Sequence, residues 1–269
     1  MQNNILMILS PQMQLFLVII LALIMGSFAS LFTHRLATKQ SLVFTRSKCL
    51  KCNHHLHVKN LIPIFSWLIQ KGKCSFCHAK ISPRYPLIEL GFLVIFLVIY
   101  YVLNQQINSQ TILYFAIATM LLCMIIVDLE HYFIPDVMQY ILTIFVGLLV
   151  VFHNENFSLL IALRDGLAFT LFAIGLWIFF YFGAGISAIG VDDLKFFFIA
   201  GILLGIKNFI AFMMICGLVG VCFGMLWQKL MKDETFPFAP AMCVSALVCL
   251  LFGQYLKISE WLGKLIFLS

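Results

Sequence analysis

Apolar runs of bilayer-crossing length recur from one end of this chain to the other, and that recurrence limits what it can fold into. A hydrocarbon core about 30 Å thick takes roughly 20 mostly apolar residues as a helix, and only helices or closed barrels satisfy their backbone inside it. The runs read as helices over 13–33, 87–103, 111–127, 137–152, 159–182, 194–206, 208–227 and 238–256. With 63% hydrophobic and 10% charged residues, a soluble domain of 269 residues would lack the polar surface to stay dispersed. The expectation is an all-α polytopic membrane protein of about eight transmembrane helices in a lipid bilayer. No basic segment precedes the first run and no small-residue cleavage site follows it, so it reads as a retained helix rather than a removed signal peptide.

Charge is distributed as unevenly as hydropathy. Residues 34–86 hold ten Lys or Arg and no Asp or Glu, whereas the remainder shares seven basic groups and all eleven acids. Loops rich in Lys and Arg near helix ends stay cytoplasmic, which places this segment inside. Alternation of the later spans then brings Asp128, Asp192 and Asp193 to the cytoplasmic edge. It puts the acidic loop at Asn154–Asn156 outside and returns the basic stretch from Gln228 to Lys232 to the cytoplasm. The pattern divides the chain into a first transmembrane helix (1–33), a basic cytoplasmic loop (34–86) and a transmembrane domain (87–269). The loop's charge suits anionic headgroups. No aromatic–basic pattern marks a nucleic-acid partner, and nothing specifies an oligomeric state.

Within the basic loop, Cys49-x-x-Cys52 and Cys74-x-x-Cys77 stand with 21 residues between the pairs. Two such pairs can converge tetrahedrally on zinc as a closed, structural site, stapling the loop together. Neighbouring Lys and Arg favour thiolates, and a reducing cytoplasm disfavours disulfides. A redox pair and four ordinary thiols are the competing readings. His54, His55, His57 and His78 are possible substitute ligands that read more simply as loop histidines. Cys123, Cys216, Cys222, Cys243 and Cys249 lie in apolar spans and read as packing residues.

Charges in so apolar a chain call for a reason. Asp128 closes the third span, before a helix break at Ile134-Pro135 and a restart at Asp136. Asp136 sits at a helix start, where the dipole favours a carboxylate. Gly190-Val191-Asp192-Asp193-Leu194-Lys195 forms a second acidic site on the same face. Two carboxylates from separate helices can act on one water as acid and base. The bland reading makes them helix ends, with Asp193 paired to Lys195 or Lys207. Two other functions also fit: a transporter using intramembrane carboxylates, and a magnesium-dependent lipid-phosphate transferase using Asp192 and Asp193.

In order along the chain, several motifs together resemble the bacterial type IV prepilin peptidase family, membrane aspartic proteases of the GxGD type. They are Gly26-Ser27-Phe28 with Arg35, the paired cysteines flanking Ile62–Leu68, and Ile81–Leu90. Asp128 to Asp136, Gly190 to Lys195 and Phe236-Pro237-Phe238-Ala239-Pro240 complete the set. The resemblance implies that Asp128 and Asp193 are the catalytic pair, with Asp192 a catalytic neighbour. Asp192 stands where the family has its second glycine, and it adds a third carboxylate. The family's reactions are cleavage of the basic leader of prepilins and pseudopilins at the cytoplasmic edge of the inner membrane, then methylation of the new N-terminus by S-adenosylmethionine. Type IV pilus and type II secretion substrates both belong to that class. For methylation, the resemblance points only to the basic loop and Glu89; no cofactor fingerprint is readable.

Overall fold

A computed structural model describes residues 10–38, 47–49, 51–153, 158–185, 190–231 and 236–256. Asn154–Asn156, expected as an outer loop, the segment Ile186–Ile189, Lys39, Arg46 and Lys232 therefore lie outside the described residues. The α-helices are α1 (Pro11–Ala37), α2 (Phe65–Ile69), α3 (Arg84–Val102), α4 (Ser109–His131), α5 (Asp136–His153), α6 (Leu159–Ala184), α7 (Val191–Leu204), α8 (Phe209–Met231) and α9 (Ala239–Leu256). Among the described residues no strand forms; two isolated bridges occur, both in the cysteine loop. All eight expected helices are present, and six are long and apolar enough to cross a membrane. The two shorter ones are α7, with 14 residues, and α9.

The chain forms two compact units, residues 1–119 and 120–269. In the first, α1 begins at Pro11 behind an N-cap Ser10, whose Oγ accepts the Met13 N–H at 3.4 Å. It packs along α3 with Gly26 at the crossing, where a Cβ would lie 2.8 Å from the Glu89 Cα. At the far end the Tyr100 hydroxyl donates to the Pro11 carbonyl, and the Ile107 N–H to Gln14 Oε1. Between α2 and α3 the Trp67 indole donates to the Ile81 carbonyl at 3.2 Å and lies over Gly72 (φ +66°). This closes the loop around the second cysteine pair.

In the second unit α7 is the central element, with α5, α6 and α9 packed on it and α8 packed on α9. Its core side chains are Phe196, Phe197, Ile199, Ala200 and Leu204. Contact with α6 is close because Gly201 and Gly166 are small: a Cβ on Gly201 would lie 2.6 Å from the Asp165 carbonyl oxygen. The chain leaves α7 at Gly205 (φ +69°). The buried Asp165 Oδ2 then accepts the Ile206 N–H at 3.1 Å, and Asp165 Oδ1 pairs with Arg164 at 2.7 Å. An intramembrane carboxylate thus holds the turn that sends α8 back.

Candidate active site and metal centre

Asp128 occupies the last turn of α4, only 6% exposed, and its Oδ2 accepts the Ala239 N–H at 2.9 Å. Ala239 opens α9, so the carboxylate sits on a donor that the helix itself cannot satisfy. This gives Phe236–Pro240 a physical task. Its prolines bring the chain into a helix start, and that start presents an N–H to Asp128.

Asp193 lies in the first turn of α7, where its Oδ2 accepts the Gly190 N–H at 2.9 Å. That bond turns the side chain back over the helix start. Asp193 is close enough to act on Asp128 through its charge, and the buried Cys243 lies within the field of both. Asp192 faces other partners. Its Oδ1 lies 3.3 Å from Lys195 Nζ, which also binds Asp136 Oδ1 at 2.6 Å, and its carbonyl accepts Gln139 Nε2 at 3.0 Å. Lys195 therefore joins the starts of α5 and α7 rather than pairing with Asp193. The structure puts Asp193 within electrostatic reach of Asp128 and sets Asp192 in an ion cluster with Lys195 and Asp136. Sequence reasoning passed over Gln139, although a lone polar residue one turn beyond Asp136 in an apolar span was the available signal.

The second site is the cysteine loop. The Sγ atoms of Cys49, Cys52, Cys74 and Cys77 all lie within 4.8 Å of one another, with Cys49 and Cys77 at 3.9 Å. Bonds of about 2.3 Å to a tetrahedral ion require sulfurs roughly 3.8 Å apart, so the set fits a metal ion. The two halves share one local design. The N–H of Cys49 donates to the His54 carbonyl and that of Cys74 to the Ala79 carbonyl, at 3.0 and 2.9 Å. Asn53 and His78, each following a second cysteine, have φ near +53° and +54°. Backbone N–H groups of Cys52 and Lys51 lower the Cys49 thiol to about 6. At Cys77 the Ala79 N–H acts in the same direction, but desolvation and the other three thiols prevail and raise it to about 11. His54, His55, His57 and His78 are exposed and outside the cluster. Of the remaining cysteines four are buried as expected, whereas Cys222 is exposed on α8.

Glu89 links the loop to the helices of its unit. Buried in α3, it accepts the Ile64 N–H at 2.6 Å and a hydrogen bond from Ser27. Ile64 has φ 59° and ψ −53°, a conformation a β-branched residue keeps only when its surroundings impose it. Gly26-Ser27, Ile62–Leu68 and Glu89 thereby become one structural feature.

An all-helical membrane chain with two acids converging from separate helix ends is laid out as a membrane peptidase. The profile of the bacterial peptidase A24 N-terminal domain matches residues 20–103, and that of the type IV leader peptidase family matches 115–225. The chain is 30% identical over 242 residues to the prepilin leader peptidase/N-methyltransferase of Bacillus subtilis, covering 87% of this chain and 93% of that protein. Proteins of the same description from Stutzerimonas stutzeri and Pseudomonas aeruginosa are 27% and 28% identical, over 90% and 88% of this chain and 91% and 89% of theirs. No solved structure matches it. The chain belongs to the type IV leader peptidase family.

Proposed function

We propose that this chain cleaves the basic leader from prepilin-like or pseudopilin substrates and then methylates the exposed amine with S-adenosylmethionine. The work takes place at the cytoplasmic edge of the bacterial inner membrane, the side on which ten cationic residues in 34–86 hold the loop. Zinc is the ion suited to the four thiols, and with every ligand position filled it is structural. The functional division is a first helix (1–33), a zinc-stapled loop (34–86) and a peptidase domain (87–269).

The observation carrying the peptidase reading is Asp128, buried on the Ala239 N–H and within the field of Asp193. One ionised member of the pair takes a proton from water as the hydroxide oxygen attacks the scissile carbonyl. The other, protonated, donates to the carbonyl oxygen. Return of the abstracted proton to the amine nitrogen lets the C–N bond break. Two acids near enough to repel one another can hold a single proton between them, which is the state this chemistry needs. Methyl transfer is supported by the names of the relatives.

The test is coexpression with a pilin-like substrate. Asp128→Asn and Asp193→Asn should each lower cleavage by about 100-fold or more. Full cleavage by both variants would remove the pair from the mechanism.

A further inference from the structure

On the cysteine loop the large apolar side chains of Leu61, Ile62, Phe65, Leu68 and Ile69 are exposed. Phe65, Leu68 and Ile69 share one face of α2 by their spacing, and Ile69 is 79% exposed. α2 buries none of its residues, so the packing of its own unit does not account for that face. An apolar patch of neighbouring side chains on a loop marks a surface that meets something apolar.

The height of α2 relative to the bilayer follows from the helices that hold it. α1 and α3 run antiparallel, with Pro11 at Tyr100 and Gly26 at Glu89. The apolar run of α1 ends at Phe32, ahead of Thr33-His34-Arg35 and roughly 9 Å beyond Gly26 along the axis. α3 begins at Arg84, roughly 7.5 Å to the same side of Glu89. Both helices thus set the membrane edge at one height, with the Glu89 backbone beneath it. The Ile64 N–H, immediately ahead of α2, donates to the Glu89 carboxylate. From within α2 the Trp67 indole donates to the carbonyl of Ile81, just ahead of α3. Tethered at both points, α2 lies across the start of α3, at the depth of the interfacial layer.

We infer that α2 and the residues leading into it form an interfacial anchor for the cysteine loop. Ile62, Phe65, Leu68 and Ile69 enter the bilayer beside α3, and the ammonium groups of Lys59, Lys71 and Lys73 meet anionic phospholipid headgroups. Charge selects this occupant. The three lysines flank the apolar face and are exposed, and residues 34–86 contain no Asp or Glu. An apolar face edged by cations is the composition that binds an anionic membrane surface. A basic leader peptide would be repelled by the same lysines. The four thiols then lie along the membrane surface, with Glu89 holding the entry to α2 at its depth. The anchor does not depend on the peptidase reading.

The experiment places the photo-crosslinker p-benzoylphenylalanine at Ile69, and separately at Leu68, in the purified full chain. Each protein is irradiated with a pilin-like protein in nanodiscs containing phosphatidylglycerol. Both positions are exposed, so the fold should accept the probe. Mass spectrometry should find phospholipid adducts on the probe-bearing peptide, as it should for a probe at Leu87, exposed on α3. Lys59→Gln, Lys71→Gln and Lys73→Gln combined should lower the adduct yield at Ile69 by about fivefold or more and leave that at Leu87 unchanged. Adducts at Ile69 and Leu68 only with protein, whether the pilin-like chain or a second copy, would overturn the anchor. So would the absence of any adduct there while Leu87 reacts with lipid. An unchanged yield at Ile69 after the lysine substitutions would overturn the headgroup contact. Each readout is the same whether or not the chain cleaves the pilin-like protein.

Discussion

Asp192 and Asp193 are neighbours in the chain, yet consecutive helical side chains point about 100° apart, and that angle separates their roles. Asp193 turns to the Gly190 N–H and toward Asp128, whereas Asp192 turns to Lys195 and, through it, to Asp136. The extra carboxylate at the position where the family has glycine is therefore offset by a cation. Asp192→Asn should retain cleavage to within about fivefold, since a half-exposed ion pair contributes little. The order of effects, Asp193→Asn far below Asp192→Asn in a time course of leader removal, is the check. The reverse order would move the role by one residue. The sequence made both aspartates candidates and left the choice to the family's spacing, because side-chain direction depends on where the helix starts. The Ala239 partner of Asp128, 111 residues away, was beyond any local pattern.

Helices were the most legible level. Hydropathy located all eight apolar ones to within a few residues, and Pro135 marked a break that the structure keeps. Packing was less legible, since two glycines and an aspartate inside apolar spans carry no periodic signal. Asp165 finds its backbone partner 41 residues later, at Ile206, so its task exists only once α6 and α7 are side by side. Gly201→Leu should force these helices apart, because backbone stands where its Cβ would go. A loss of about 1–3 kcal/mol or more is expected from such overpacking, measured as a lower midpoint for thermal unfolding in detergent. Gly175→Leu, with open space at the surface of α6, should leave that midpoint near its starting value.

Across the molecule, metal and bilayer act on different parts. Purified chain should carry about one zinc ion, and chelation should open the cysteine loop to protease while α3 and its neighbours stay protected. Protons compete with metal for thiolates. The Cys49 thiol, lowered to about 6, is already charged at neutral pH whereas Cys77 must lose a proton to bind, so metal affinity should weaken as pH falls. Conversely, metal uptake at neutral pH should release a proton from Cys77, whose thiol lies near 11. A dye-monitored titration with no proton release would contradict this. The shortness of α7 has a different consequence. Its 14 residues extend only about 21 Å, well under a hydrocarbon core of about 30 Å. Opposite Gly201 stand Asp165 and Gly166, so α6 runs on toward Ala184 past the level where α7 begins. The start of α7 therefore falls short of the level at which α6 ends, where Val191 is exposed. That step lets water reach the aspartates, and a cysteine placed at Val191 should react with a maleimide supplied from the aqueous side.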